Sequence, residues 1–149
     1  MRIRTLAAVI FALLVGTTLA FADATKDDAM AIVKKAIVKI KAEGPEKAYV
    51  EINKGGEFLN GELYVIVQTF DAKMLVQSAN NKMVGKDLID AQDVDGKYFS
   101  RDLGELERKQ VSFWYEFKFV NPATKKIQPK DVYCERLDQT VVCVGVYRP

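Results

Sequence analysis

The chain has 149 residues, with Lys+Arg 22 against Asp+Glu 20, two cysteines and no histidine. An apolar fraction of 49% with 10% aromatics is enough for one ordinary core and excludes disorder of the whole chain. The missing histidine excludes a Ser-His-Asp triad, a Cys-His pair, a histidine zinc site and a CxxCH haem, so no catalytic residue, metal ligand or cofactor is nominated.

Residues 1–22 open with Arg2 and Arg4, continue through an apolar run from Leu6 to about Val15, and end in the small residues around Ala20-Phe21-Ala22. That order is a secretory signal peptide, cut before Asp23, with Ala24 offering a second site. The competing reading, an uncleaved anchor, is weakened by Gly16, Thr17 and Thr18 and by a run shorter than the ~20 residues a span needs. Cleavage removes two arginines and no acid, leaving a mature domain, residues 23–149, with twenty basic and twenty acidic side chains. A neutral domain gives no electrostatic support for a nucleic-acid or anionic-membrane partner. The expected location is the periplasm or the extracellular medium.

Thr25-Lys26-Asp27-Asp28 predicts a helix start, with a hydroxyl at the cap and acids facing the positive end of the helix dipole. Ala29, Ile32, Val33, Ala36, Ile37 and Ile40 then form one apolar stripe, leaving Lys34, Lys35, Lys39 and Lys41 on a solvated face. Gly44-Pro45 ends this helix and starts a shorter one to about Asn53. Leu63 to Phe70 and Met74 to Ala79 read as a strand pair turning at Asp71-Ala72-Lys73. A polar connection from Asn80 to Asp95 follows, then a helix over Tyr98 to Lys109. Strands are expected at Val111 to Val120, Ile127 to Leu137 and Thr140 to Arg148. The order predicts an α+β domain on a five-stranded antiparallel sheet.

If Asp138-Gln139 is a two-residue turn, Cys134 faces Cys143 in a non-hydrogen-bonded pair with Cα atoms about 4.5 Å apart, within disulfide reach. A three-residue loop would break that register. Export favours the bridge, read as a staple across the hairpin rather than a redox switch because no CxxC motif is present.

The order of motifs resembles the single Cache domain of the second type, in its free-standing exported form. The matching stretches are Gly44-Pro45-Glu46-Lys47-Ala48, Gly61-Glu62-Leu63-Tyr64-Val65, Met83-Val84-Gly85-Lys86-Asp87-Leu88, Asp93-Val94-Asp95-Gly96-Lys97, Phe113-Trp114-Tyr115-Glu116-Phe117, Asn121-Pro122-Ala123-Thr124, Pro129-Lys130-Asp131-Val132-Tyr133 and Gly145-Val146-Tyr147. The resemblance implies a PAS-like fold, with a long N-terminal helix on one sheet face and a small-ligand pocket on the other, closed by the loop between the second and third strands. This chain departs from the family pattern at Phe113 and Phe117, where a Gly and a Tyr are usual. It departs again at Gln77-Ser78-Ala79-Asn80, where Ala-His-Pro is frequent, and at Asp71-Ala72 in place of Asp-Gly.

Carried onto this chain, the resemblance places Phe117 and Lys130 at the pocket, and strand parity puts both on one face with Cys134, Cys143, Gly145 and Tyr147. Gly145, opposite Val132, leaves room there. Trp114 falls on the helix side, expected to pack on the apolar stripe. An inward Lys130 needs a fixed acid or an anionic ligand; the alternative is a strand-end lysine with its head in solvent. Tyr98, Tyr115 and Tyr147 offer hydroxyls and ring faces, and Ser78 or Asn80 can complete a ligand's hydrogen bonds.

The expected function is a non-enzymatic, exported, small-molecule-binding sensory domain acting with a separate membrane receptor or sensor kinase. The alternative is a protein-interaction module whose pocket Phe113 and Phe117 have filled. An enzyme is disfavoured because no carboxylate pair or thiol motif stands out. Mass spectrometry of the exported protein is expected to find Asp23 at its N-terminus; an intact Met1 on the mature protein would refute the signal assignment.

Overall fold

The computed structural model describes residues 23–149; the signal peptide expected over residues 1–22 lies outside the described residues. Helix α1 (Lys26–Glu43) begins in a capping box: Thr25 Oγ1 accepts the Asp28 N–H at 3.1 Å, and the Asp28 carboxylate accepts the Thr25 N–H at 2.9 Å. Its stripe buries Ala29, Val33, Ala36, Ile37 and Ile40, with Ile32 half-buried at the margin. Gly44, at φ 82°, returns its N–H to Ile40 and admits Pro45 at the start of α2 (Pro45–Asn53).

Seven strands follow: β1 (Leu59–Asn60), β2 (Leu63–Tyr64), β3 (Ile66–Thr69), β4 (Met74–Gln77), β5 (Ser112–Val120), β6 (Ile127–Leu137) and β7 (Thr140–Tyr147). Helix α3 (Phe99–Lys109) lies between β4 and β5 in the chain. The main sheet runs β4-β3-β7-β6-β5, every neighbouring pair antiparallel, and β1 with β2 forms a separate small ladder. The α+β expectation and the five-stranded sheet are both met. The strand expected over Leu63 to Phe70 is broken at Val65, whose N–H goes to the Ser78 hydroxyl at 2.9 Å instead of a strand carbonyl. The Asp71-Ala72 turn puts Ala72 in the left-handed region at φ 65°, a conformation that disfavours a Cβ.

The sheet separates two cores. On one face α1 and α2 cover Leu63, Val65, Val67, Val76, Leu137, Val142, Val144 and Val146. On the other, α3 and the chain before it cover Tyr64, Ile66, Phe117, Val132, Val141 and the Cys134–Cys143 bridge. The hairpin register pairs Leu137 with Thr140 and Cys134 with Cys143. The disulfide forms with Cα atoms 4.2 Å apart, and both cysteines are completely buried, so no external thiol reaches it as folded. That supports the staple reading.

Trp114 is on the helix side, as parity requires, but it does not reach the apolar stripe. It is 36% exposed, stacks near Tyr133 with ring centroids 5.3 Å apart, and receives the Lys26 ammonium 4.8 Å from its ring. The reason is position: β5 is the outer strand of the sheet, and what meets Trp114 from α1 is its first residue.

Helix α3 is pressed on the sheet end, because Gly104 lies so close that a Cβ there would sit 2.0 Å from the Phe70 carbonyl oxygen. One turn on, Glu107 is fully buried with neither carboxylate oxygen hydrogen-bonded among the described residues. Burial pushes its carboxyl from 4.5 to about 8, against the pull of Arg136 and with a small push from Glu135. The folded state thus keeps a proton that the unfolded chain releases between about pH 4.5 and pH 8, and stability falls as pH rises through that window. Glu107→Gln is expected to stabilise the protein by at least about 1 kcal/mol at pH 8 and to change nothing at pH 4, by urea unfolding. An equal effect at both pH values would refute a buried neutral carboxyl.

Candidate functional site

Register brings three side chains into a row across three strands: Phe117 of β5 pairs with Lys130 of β6, which pairs with Tyr147 of β7. All three face the α3 side, and Tyr64 of β2 joins them. Lys130 is completely buried, its stem laid over Gly145, where a Cβ would come 2.5 Å from Lys130 Cε and 2.6 Å from Val132 Cγ1. Gly145 is therefore the gap that lets a long side chain lie flat across β7.

The Lys130 ammonium rests 3.8 Å from the Tyr64 ring centre, 5.1 Å from that of Tyr147 and 5.9 Å from that of Phe117. Among the described residues it has no hydrogen-bond partner. Burial pulls its pKa from 10.5 to about 7, and the Glu62 charge draws it partway back. Glu62 forms no ion pair with it. Its Oε1 accepts the Tyr147 N–H at 3.1 Å and its Oε2 accepts Asn121 Nδ2 at 3.0 Å. The fixed acid that an inward lysine calls for is thus engaged elsewhere.

The tyrosines are tied down. The Tyr147 hydroxyl donates to the Val120 carbonyl at 2.8 Å, so the Tyr64 hydroxyl, 3.0 Å away, donates to Tyr147. Burial raises both phenols, Tyr64 to about 12. Beside them lies a small cavity of about 20 Å³, bounded by Tyr64, Gln68, Phe99, Leu103, Phe117 and Phe119 among others. Phe99 stacks flat on Phe117, ring centroids 4.7 Å apart and planes 6° apart, which accounts for how little space remains. A larger depression of about 270 Å³ shares Tyr64, Gln77 and Phe119 with it and opens outward past Asn80 and Lys125.

The other nominated residues are spread around this centre. Tyr115 is half-buried at the edge and donates its hydroxyl to Asp102 of α3 at 2.5 Å. Tyr98 precedes α3 with the Arg101 guanidinium 4.2 Å from its ring, outside the cavity lining. Ser78 is buried but spent: its hydroxyl donates to the Phe58 carbonyl at 2.7 Å and accepts the Val65 N–H. Asn80 is exposed, accepts the Lys82 N–H through its side chain, and lines the outer depression. Sequence reasoning overlooks Tyr64, Gln68 and Phe99. The available signal was parity, since Tyr64, Ile66 and Gln68 alternate onto one face of a strand that is otherwise β-branched.

The family model described as single Cache domain 2 matches residues 14–148. The fold is similar to a methyl-accepting chemotaxis protein from Vibrio parahaemolyticus RIMD 2210633, with TM-score 0.72 and 18% identity over 82% of this chain and 87% of that one. It is also similar to a Cache chemosensory domain solved for its recognition of carboxylic acid, with TM-score 0.70 and 18% identity over 83% and 92% of the two chains. A periplasmic sensor domain of a chemotaxis protein gives TM-score 0.65 and 18% identity over 83% and 90%. No curated protein matches the chain.

The tight fit at Gly145 is directly testable. Gly145→Ala is expected to cost about 1–3 kcal/mol in urea unfolding, because Lys130 and Val132 must both shift to admit a methyl group. Val132→Ala in the same chain should recover part of the loss; no cost in the single variant would mean that Lys130 does not lie over Gly145.

Proposed function

The chain belongs to the single Cache domain 2 family, and we propose that it is an exported, non-enzymatic sensory domain that binds a small organic carboxylate at Lys130. Occupancy then passes to a separate membrane receptor or sensor kinase. No helix among the described residues is long and apolar enough to cross a membrane. The observation that carries the reading is the buried Lys130 ammonium without a partner. A folded protein leaves such a group unpaired at a cost of several kcal/mol, which an arriving anion would offset through a charge-assisted hydrogen bond in a dry site. The similar Cache chemosensory domain, solved for its recognition of carboxylic acid, supports the same ligand class.

The small cavity favours a second reading, a protein-interaction module with its pocket filled by Phe99 and Phe117. The two readings separate on one variant. Lys130→Met keeps the side-chain length and removes the buried amine, so it is expected to stabilise the ligand-free protein by about 1–3 kcal/mol at pH 7. It should also weaken any carboxylate at least tenfold by isothermal titration. If no carboxylate raises the melting temperature of the unaltered protein, or if Lys130→Met binds as well, the sensory reading fails.

The pH dependence has a definite sign. With the free amine at about 7, binding above that pH must take up a proton. Carboxylate affinity is expected to be level from about pH 5 to 7 and to fall by up to about tenfold per unit above pH 7. A profile flat to pH 9 would show that the ligand does not bind the ammonium.

A further inference from the structure

Gln68 is a second buried polar group that the fold leaves half-used. It is completely buried on β3 and its Nε2 donates to the Ser100 carbonyl of α3 at 2.8 Å. A carbonyl can only accept, so this bond fixes which way the amide points. Its Oε1 is left without a partner among the described residues. Gln68 and Ser100 both line the cavity, as do Tyr64 and Phe117, which hold the Lys130 ammonium at its other end.

Tyr64 of β2 and Ile66 and Gln68 of β3 all line the cavity, and the four residues of interrupted strand put the first and last Cα atoms at most about 13 Å apart. Apart from Gln68, Ser100 and Gln77, whose Oε1 is already taken by the Ala79 and Asn80 N–H groups, the lining is apolar. Lys130 itself lies outside the lining, its ammonium against the Tyr64 and Phe117 rings, so among the described residues an unpaired cation and the unpaired Gln68 acceptor flank a largely apolar cavity that must widen to admit a ligand. We infer that the ligand is an elongated monocarboxylate carrying a hydrogen-bond donor, a hydroxyl or amine, at the end remote from the carboxylate, with that donor received by Gln68 Oε1. This inference rests on the carboxylate reading of Lys130. It excludes a dicarboxylate, whose second anion would face a carbonyl oxygen, and disfavours an acid too short to reach Gln68.

The test uses matched probes on the unaltered exported protein: phenylpropanoate against its para-hydroxy counterpart, and hexanoate against omega-hydroxyhexanoate and adipate, by isothermal titration. The hydroxy acids are expected to bind about tenfold to hundredfold more tightly than their unsubstituted partners, since those leave Oε1 buried and unpaired, and adipate more weakly than either hexanoate probe. Gln68→Leu is expected to erase the preference for the hydroxyl while keeping the binding of phenylpropanoate. Carboxylates that bind in a Lys130-dependent way with no hydroxyl preference, or a preference that survives in Gln68→Leu, overturn the inference and leave the carboxylate reading standing. No binding by any of these acids or by short carboxylates overturns both. The probe pairs on the unaltered protein decide the matter even if Gln68→Leu does not fold.

Discussion

Taking the Lys130 ammonium out of water costs several kcal/mol, and no carboxylate among the described residues pairs with it in return. What the protein supplies instead is a cage of three rings, whose faces attract a cation by about 1–2 kcal/mol each when desolvated, with Tyr64 much the closest. The surrounding structure follows from keeping that cage in shape. Glu62 is held by the Tyr147 backbone and Asn121, near enough to bias the amine toward its charged form without pairing with it. Gly145 gives the lysine stem its track, and the chain of hydroxyls from Tyr64 through Tyr147 to the Val120 carbonyl fixes two of the rings.

Stability and strain are divided between the two faces of the sheet. The α1 and α2 side is apolar, stapled by a capping box and by Asn53, which bonds both Leu75 and Gln77 of β4. The α3 side holds all four side-chain atoms that are buried without a partner among the described residues: Gln68 Oε1, both Glu107 oxygens and Lys130 Nζ. The Cys134–Cys143 bridge lies under this same layer, tying β6 to β7 where the core is least satisfied. A layer carrying such costs is the one expected to open first, and it is the one the proposed ligand would enter.

Much of this was legible from alternation alone. A two-residue turn at Asp138-Gln139 set the partners of every residue in the last hairpin, so the disulfide and the Gly145–Val132 pairing followed from one register, while the family resemblance assigned the pocket to the face that carries Lys130. Asp138 adopts φ 54°, which an Asp tolerates better than most residues, so the turn forms without the usual Asn-Gly. Tyr64 and Gln68 were harder to see because the strand containing them is interrupted at Val65 by a bond from Ser78, a contact between residues that no local pattern links. Phe99 was hidden for another reason. A helix stripe says that a residue is buried but not against what, and its flat stack on Phe117 is decided by where α3 lands on the sheet. Trp114 misled in the same way: parity gave the face, while the distance of β5 from the middle of α1 decided the partner.

The Phe99–Phe117 stack bears on how tightly a ligand can be held. A cavity of about 20 Å³ accepts a water and not an organic acid, so any acid reaching Lys130 must first part the two rings. That step forfeits about 0.5–1.5 kcal/mol of aromatic contact and moves the first turn of α3, which has no side-chain cap to resist. The same turn carries Ser100 and Asp102, the anchors of Gln68 and Tyr115, so displacing Phe99 disturbs bonds to both β3 and β5. The return is a charge-assisted bond of about 1.5–3 kcal/mol together with relief of the unpaired ammonium. Because those gains offset the cost only when an anion reaches Lys130, an apolar molecule of the same shape would not be held. If the ligand is the proposed carboxylate, the plug acts as a filter for charge, and through α3 it couples the presence of the anion to the surface of the domain.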